Sequence, residues 1–557
     1  MTGSAIDISL DADTKGLSEV VVVGYGAQKK EAVSGAITSV KGADLIKSPA
    51  TNLSNSLSGR MPGVTAMQNS GEPGYDASAL WIRGMATFTG SQSPLILVDG
   101  VERAFSGIDA NEVESISILK DASSTAVYGV RGANGVILVT TKRGMKSKPQ
   151  INFTLQGGIQ EPTRLPEYLD SYDALKLYRE ALINDGQNYA MYTDEYLNKF
   201  RDRSHPAYKY LYPNVNWLHE LLKPTAPMYS GNLNVSGGND FVRYFTSISY
   251  LRQSGLYKYA NLSDYNIQAL NNKYNFRSNI DLNITKDLTM ELNLGQIVYD
   301  NNYPNVGASA LFADMQAIPP YLYPMQNPDG SVAYQSAKPY NPFGRLTQGG
   351  YQRNFQNTLQ ATTGFKLNLP WITKGLSTRV RLSFDSYNYR NITRSKSYYT
   401  YKWSIADDQA TDLSTGTYTK VTDGSNNLSY DVAANSNRRT QLEAYLNYDR
   451  TFGKHAVTAM ALYQQQTFFD AVGSNDAING LPYKYNGLIG RVTYAYNSKI
   501  FGEVNFGYNG SENFPAGKRY DLFPAVSASY VLSEEPFFKN HVPLINLLKI
   551  RASAGTV

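Results

Sequence analysis

Leu488-Ile-Gly-Arg-Val-Thr-Tyr-Ala-Tyr496 and Ile500-Phe-Gly-Glu-Val-Asn-Phe-Gly-Tyr508 face each other across Asn497-Ser498-Lys499. Each arm alternates apolar or aromatic residues with small or polar ones, the period of a β-strand, and the short polar connection reads as a hairpin turn. The pattern recurs upstream. Leu288, Met290, Leu292 and Leu294 share one face of their segment, as do Val380, Leu382 and Phe384 of theirs. In Phe241–Tyr250 the set Phe241, Phe245 and Ser247 opposes Val242, Tyr244, Ile248 and Tyr250. Gln441–Tyr448 follows the alternation less strictly, and Ala525–Leu532 continues the series. This dyad pattern is that of transmembrane β-barrel strands with aromatic residues at the interfaces. Taken alone, it fits a soluble β-sandwich or β-helix as well.

Composition points the same way. The 557 residues include 43 Tyr, 45 Gly and 21 Phe, and only 18% are charged, against about 25% in an ordinary globular chain. Mean hydropathy is −0.37, so polar uncharged residues replace the missing charges. A net charge of +5 argues against a nucleic-acid binder, which carries a concentrated basic footprint. With no Cys there is no disulfide framework, thiolate metal site or thiol nucleophile. His205, His219, His455 and His541 are the only histidines, so neither a metal centre nor a cofactor is expected. No apolar run reaches the roughly 20 residues of a membrane-spanning helix. The opening Met1–Leu10 lacks the basic and apolar regions of a signal peptide. It is expected to be either a cytosolic start or the remainder after a cut, and the β pattern favours the second.

The chain divides near residue 150. Residues 28–148 read as a compact α/β domain. Val33–Val40, Leu80–Gly84, Pro94–Gly100, Val113–Leu119 and Val136–Thr141 are candidate strands, and Asn52–Leu57 is a short helix. Val113 lies out of phase with Ile116 and Ile118. Asp121 is placed to cap a helix over Ala122–Tyr128, with Gly129 as its terminator. Residues 149–557 hold the alternating segments. Two insertions interrupt them: an amphipathic helix over Leu169–Asn184, capped by Asp170 or Ser171 and followed by a helical piece at Asp194–Arg201, and a Pro-, Gly- and Tyr-rich long loop over Asn301–Gly350.

Ahead of the α/β domain stands Glu19-Val20-Val21-Val22-Val23-Gly24-Tyr25. Four consecutive valines favour extended backbone, and the flanking glycines loosen its attachment. Such a segment either forms the first strand of the α/β domain or detaches and adds to the sheet edge of another protein. Arg83, Asp99, Glu102, Arg103, Glu114, Asp121 and Arg131 are candidates for buried ion pairs between the domain and its surroundings, or else plain solvated charges, with Asp121 rather a cap. Tyr321, Tyr323, Tyr334, Tyr340, Phe343, Tyr398, Tyr399, Tyr401 and Trp403 offer flat faces for sugar stacking, or else serve as girdle and loop packing. Apparent catalytic matches fail. Gly24-Tyr-Gly26 lacks the third glycine of a dinucleotide loop, Ser117-Ile-Leu-Lys120 sits in an alternating strand, His219-Glu220 has no second His at zincin spacing, and the acidic stretch from Asp11 has Val22 where a calcium loop needs Glu. No catalytic constellation remains, so the chain reads as a non-enzyme.

Several motifs together resemble one family. Glu19–Gly26 is similar to the TonB box of the SusC/RagA family of TonB-dependent outer-membrane transporters of Bacteroidetes. Leu95–Val101, Val113–Gly129 and Arg131–Gly144 look like its plug domain, and Val235–Gly238 with Tyr244-Phe245, and Ser511–Pro515 through Phe523-Pro524, like its barrel segments. The resemblance implies a remnant with the TonB box at 1–27, a small α/β plug at 28–148, and part of an antiparallel transmembrane β-barrel with long extracellular loops at 149–557. It implies active import across the outer membrane. TonB and its inner-membrane energising complex would pull on the box, a SusD-like surface lipoprotein would cover the barrel, and the cargo would be an oligosaccharide or, alternatively, a peptide, siderophore or cobalamin. A soluble β-rich glycan-binding or adhesin protein is the alternative of another class. Residues 149–557 supply roughly 10 to 14 strands, while barrels of this kind have about 22. The chain is therefore expected to lack the C-terminal barrel half and to be unable to transport alone. Ile6–Leu10 is read as the last strand of a preceding domain.

Overall fold

A computed structural model describes residues 20–29, 35–85, 92–262, 264–334, 340–470, 480–542, 544–545 and 547–556, and the side chains of these except at 20–22 and 27–29. Ile6–Leu10 and Glu19 lie outside the described residues.

The hairpin around Asn497 forms as Tyr483–Tyr496 paired with Ile500–Ser511. Asn497 and Ser498 adopt φ of 51° and 55°, and the Lys499 N–H donates to the Tyr496 carbonyl at 3.0 Å. Two left-handed residues in succession make the turn whose twist matches the flanking strands. Thirteen strands, from Ser147–Gln160 to Lys549–Gly555, pair antiparallel in chain order into one sheet. The connections at 239–241, 284–287, 453–454 and 497–499 are short, and those at 161–225, 305–349 and 396–430 on the opposite rim are long. Ser147–Gln160 pairs only with Ala226–Gly238, and Lys549–Gly555 only with Tyr520–Val531. The two ends of the sheet are thus not joined to each other among the described residues.

The side chains decide what kind of sheet this is. On Leu376–Ser395, Leu382 is 53% exposed on the outer face while Arg381 next to it is 4% exposed on the inner one. Leu294, Leu442, Val504 and Phe506 point outward, whereas Asn293, Gln441, Glu443 and Asn505 are buried inward. A soluble sandwich has the opposite polarity. An apolar outer face with a polar lumen is the arrangement of a membrane barrel wall, and the soluble β-protein alternative is set aside.

Against the inner face sits a five-stranded mixed sheet in the order Ile37–Lys41, Val113–Leu119, Val136–Thr141, Leu95–Val98, Val101–Glu102. Its core is Leu45, Leu57, Val98, Ile108, Val113, Ile116, Ile118 and Val139. Val113 is buried with Ile116 and Ile118 because the register shifts between Val113 and Ser115. That β-bulge absorbs the phase mismatch. The helix after Asp121 covers only Ala122–Thr125 and continues as a 3-10 stretch, Ala126–Gly132. Gly129, with φ of 57° and ψ of −146°, breaks the helical run there and so ends the turns that begin after Asp121, as the sequence leads one to expect.

The long loops are themselves folded. Ser171–Asn184 is helical, with the Asp170 carboxylate accepting from the Asp173 N–H at 2.8 Å, and Asp194–Lys199 follows. The segment expected as a loop at Asn301–Gly350 instead continues the strand Leu288–Pro304 and contains helices Ala308–Ala317 and Pro342–Gln348. These pack with Trp217–Leu221, Tyr257 and Ile267 into a hydrophobic core of their own. Pro, Gly and Tyr mark turns and packing there, and the helical faces between them are too short to show a period.

With its outer face in lipid, the sheet is expected to lose about 2–4 kcal/mol of stability on Leu382→Arg and no more than about 1.5 kcal/mol on the inward Ser383→Ala. Urea unfolding in liposomes measures both, and equal tolerance of the two would contradict a lipid-facing surface.

Candidate functional site

The inner α/β domain meets the wall through many polar groups and through two apolar contacts, one at Ile297 and one at Tyr445, Met460, Leu462 and Ile489 of the wall. Glu112 and Arg277 are the most deeply buried pair, at 1% and 2% side-chain exposure and 2.7 Å apart. Burial pushes the Glu112 carboxyl above its ordinary value, with Arg277 pulling the other way. Arg103 holds Asp385 of the wall through two bonds of 2.8 and 2.6 Å and donates to Thr362 at 3.1 Å. Bidentate pairing of this kind fixes geometry as well as charge. Arg143 reaches Asp281 at 2.8 Å. Two wall amides and a guanidinium finish the contact: Asn275 donates to the Gly107 carbonyl at 2.8 Å, Asn505 to that of Ser123 at 3.0 Å, and Arg551 to that of Gly35 at 2.8 Å.

The charged candidates divide accordingly. Glu102 pairs with Arg131 of its own domain and with Arg439 of the wall at 3.3 Å, and Arg131 donates to wall Gln466 at 3.2 Å. Asp99 turns inward to Thr141. Burial works to raise its carboxyl, but Arg143, Arg277 and the Thr141 bonds together hold it below the ordinary value. Only its carbonyl meets the wall, accepting from Arg381 at 2.6 Å. Arg83 pairs with Asp121 inside the domain at 2.6 Å, and Glu114 is exposed. Asp121 does not cap its helix. Its carboxylate accepts from Arg83 and, at 2.6 Å, from the Ala36 N–H. Sequence reasoning missed Glu112–Arg277 and Arg143–Asp281, whose partners lie 165 and 138 residues apart and leave no local signal.

The valine run is neither free nor part of the five-stranded sheet. Val20–Val23 pairs with Gly26–Lys29 in a two-stranded hairpin, and its other edge carries no strand among the described residues. The turn is gripped. Tyr25 donates to Gln464 of the wall at 2.8 Å, its ring lies 4.8 Å from that of Tyr128 and 6.4 Å from that of Tyr445, and Arg491 donates to the Gly24 carbonyl at 2.7 Å. Tyr25 has φ of 56°, a conformation that costs a non-glycine residue of order 1–3 kcal/mol. Gly24 serves close packing here rather than looseness, since a Cβ would stand 2.8 Å from Val127. Along His455–Asp470, Gln466 meets Glu102 and Gln464, two residues nearer the short turns, meets Tyr25. The tether thus lies on the short-turn side of the charged cluster.

The aromatic candidates fall mostly into loop packing. Tyr323 is buried edge-on against Trp217, and Trp403 is buried against Tyr210. Phe343 and Tyr398 belong to the core of the long loops, and Tyr321 packs on the cluster around Leu175 and Leu197. Tyr340 stands over Arg345, with 5.2 Å between guanidinium and ring. The expected stacking faces of Tyr323 and Trp403 are therefore occupied by protein. Asp408 ties two long loops together, accepting from Lys199 and from Tyr212 at 2.8 Å each.

A small α/β domain held against the polar inner face of a β wall whose outer face is apolar, with a tether ahead of it, is the architecture of a plugged β-barrel. The family profile of the TonB-dependent receptor plug domain matches residues 29–136. TonB-dependent receptor P26 of Formosa agariphila is 30% identical over 100% of this chain and 54% of its own length. TonB-dependent receptor SusC of Bacteroides thetaiotaomicron is 24% identical over 99% and 54% respectively. The RagAB peptide importer in its open-open state superposes with a TM-score of 0.73 over 96% of this chain and 61% of that one, at 21% identity. The chain belongs to the TonB-dependent receptors and is of the SusC/RagA type. It spans about half the length of the curated relatives it matches.

Two outcomes follow from this interface. Arg277→Met alone should destabilise plug seating by about 3–5 kcal/mol, because Glu112 is left buried and unpaired, and adding Glu112→Leu should restore most of that stability. Protease protection of the plug in denaturant reads both, and an unchanged single variant would contradict a buried pair. The second concerns Glu72, on the plug loop beside Tyr75 and Tyr303, where burial pushes its carboxyl up to about 7 from 4.5. The docked loop holds its proton longer than a free one, so docking is strongest below pH 4.5, weakens as pH rises toward 7 and is level above that. Hydrogen exchange over residues 69–77 should follow this trend and lose it in Glu72→Gln.

Proposed function

We propose that this chain forms the plug and lipid-facing wall of an outer-membrane importer driven by TonB, and that Glu19–Tyr25 is its TonB box. The observation that carries the reading is the valine hairpin with one unpaired edge, lying on the short-turn side of a plug held by polar contacts. Strand addition needs backbone donors and acceptors in extended conformation, and the identity of the side chains matters less. A pull through TonB would first take out the strained Tyr25 turn, then load Arg131, Glu102 and the ion pairs behind them. Water and substrate can replace polar contacts as they break, which suits a stopper that must leave and return. In this reading Glu102 and Arg131, with Arg103 and Glu112, are latches between plug and wall. Arg83 and Asp99 hold the plug's own shape.

The long loops face outward, where a SusD-like lipoprotein would cover them. The cargo is proposed to be an oligosaccharide. The inner wall is rich in uncharged amides, among them Asn232, Asn234, Asn279, Asn354, Gln360 and Gln466, which suit sugar hydroxyls once the plug moves, and Tyr321, Tyr334, Tyr340, Tyr398, Tyr399 and Tyr401 are the aromatic candidates that stay partly exposed. A peptide is the second reading, supported by the likeness of the fold to the RagAB peptide importer.

Val22→Pro removes an N–H and cannot pair within a strand. Cells carrying it should lose energised uptake of radiolabelled oligosaccharide down to the level of a strain without TonB, with normal amounts of the protein in the membrane. Uptake at the normal rate would show that this segment is not the TonB box.

A further inference from the structure

The outer face of the wall carries a feature that neither plug nor tether uses. Arg353 on Gly350–Asn368 stands directly opposite Ile392 on Leu376–Ser395. Arg390 and Arg394 flank Ile392 two positions away on that strand, on the same face. That face is the outer one. Arg381 and Ser383, an odd number of residues away, are buried inward, and the pairing continues without a register shift. Diagonal neighbours of this kind lie about 7 Å apart, so Arg353 stands between Arg390 and Arg394 in one basic patch of the outer face. Arg353 and Arg390 are exposed. Arg353 has Asp300 at 3.7 Å, at the edge of contact. Among the described residues Arg390 and Arg394 have no carboxylate partner, and Arg394 is steadied by the Tyr430 ring at 4.4 Å.

Depth is set by aromatic neighbours. Tyr351 is the cross-strand partner of Arg394, and Phe355 that of Arg390, while Tyr351 stacks on Tyr265 of a long loop at 5.4 Å. Aromatic residues at the end of an apolar band mark the membrane interface, so the arginines lie at headgroup level on the long-loop rim. At that depth Arg390 and Arg394, which have no carboxylate partner among the described residues, and the loosely paired Arg353 face the lipid headgroups, and the fork of Arg matches phosphate.

We propose that Arg353, Arg390 and Arg394 form a binding site for the phosphate of an anionic lipid headgroup in the outer leaflet. The site rests on the membrane-spanning reading above and adds a lipid contact that holds the wall at the foot of the folded loops. Neutralising the cluster would let lipid bind the remaining wall without this selectivity.

The test uses the protein purified from outer membranes in mild detergent and titrated with bis-phosphorylated lipid A, read by native mass spectrometry. The Arg353→Gln/Arg390→Gln/Arg394→Gln variant should bind at least about tenfold more weakly. The corresponding triple Lys variant should keep most of the binding, and Arg450→Gln at the short-turn rim should bind as the parent does. Dephosphorylated lipid A should bind weakly to every variant. Parent-like binding by the triple Gln variant, equal binding of dephosphorylated lipid, or displacement by inorganic phosphate alone would each overturn the site. Failure of the membrane reading is recognised separately, by extraction of the parent protein without detergent.

Discussion

A β wall in lipid must turn its polar groups inward, because hydrocarbon offers nothing to hydrogen-bond them. Everything else here follows from that constraint. Leu382 faces out and Arg381 faces in, and the same inversion repeats from strand to strand. The lumen is consequently lined with Asn, Gln, Ser, Arg and Glu, and whatever fills it must answer those groups one by one. The plug does so with Glu112, Arg103, Arg143 and a series of backbone carbonyls. Its own small core centres on Ile116, Ile118 and Val139 and takes in Ile297 of the wall.

A stopper seated on polar groups differs physically from one seated on apolar packing. Breaking an apolar interface exposes surface that water resists, whereas each hydrogen bond broken here is replaced by one to water at modest net cost. Buried ion pairs add little net stability but strongly favour one geometry. Apolar contact joins these polar groups at two places: Ile297 of the wall enters the plug core, and beside the tether Val127 and Tyr128 of the plug share a cluster with Tyr445, Met460, Leu462 and Ile489 of the wall, with Tyr25 packed against it. In the proposed function the pull arrives at this grip, and the order of release runs from the strained Tyr25 turn toward the charges around Glu102.

Much of this is legible in the residues. The hairpin over Asn497 is readable because a barrel strand repeats every two residues and a polar turn interrupts it visibly. The helix at Ser171–Asn184 is readable because Leu175 and Leu182 recur at helical spacing, and both are buried. The out-of-phase Val113 is visible as an anomaly, although only the bulge explains it. What stays hidden is what depends on distant pairing. Nothing near Glu112 announces Arg277, and nothing near Asp99 tells whether its carboxylate turns to the wall or to Thr141. Tyrosine is ambiguous for another reason: one ring serves packing, girdle and ligand equally well, and burial decides, as it does for Tyr323. The valines suit a detached segment and a sheet strand alike, and the hairpin takes an intermediate course that composition does not encode.

The central claim is that the plug must leave the wall for cargo to pass. The chain has no Cys, so a pair introduced by Ser123→Cys and Asn505→Cys, where plug and wall already touch through a 3.0 Å hydrogen bond, would be free of native thiol exchange. The account predicts that oxidising this pair stops energised uptake in cells and that a reductant restores it, with TonB binding to the tether unaffected. Uptake continuing at full rate while the disulfide is quantitatively formed would contradict it.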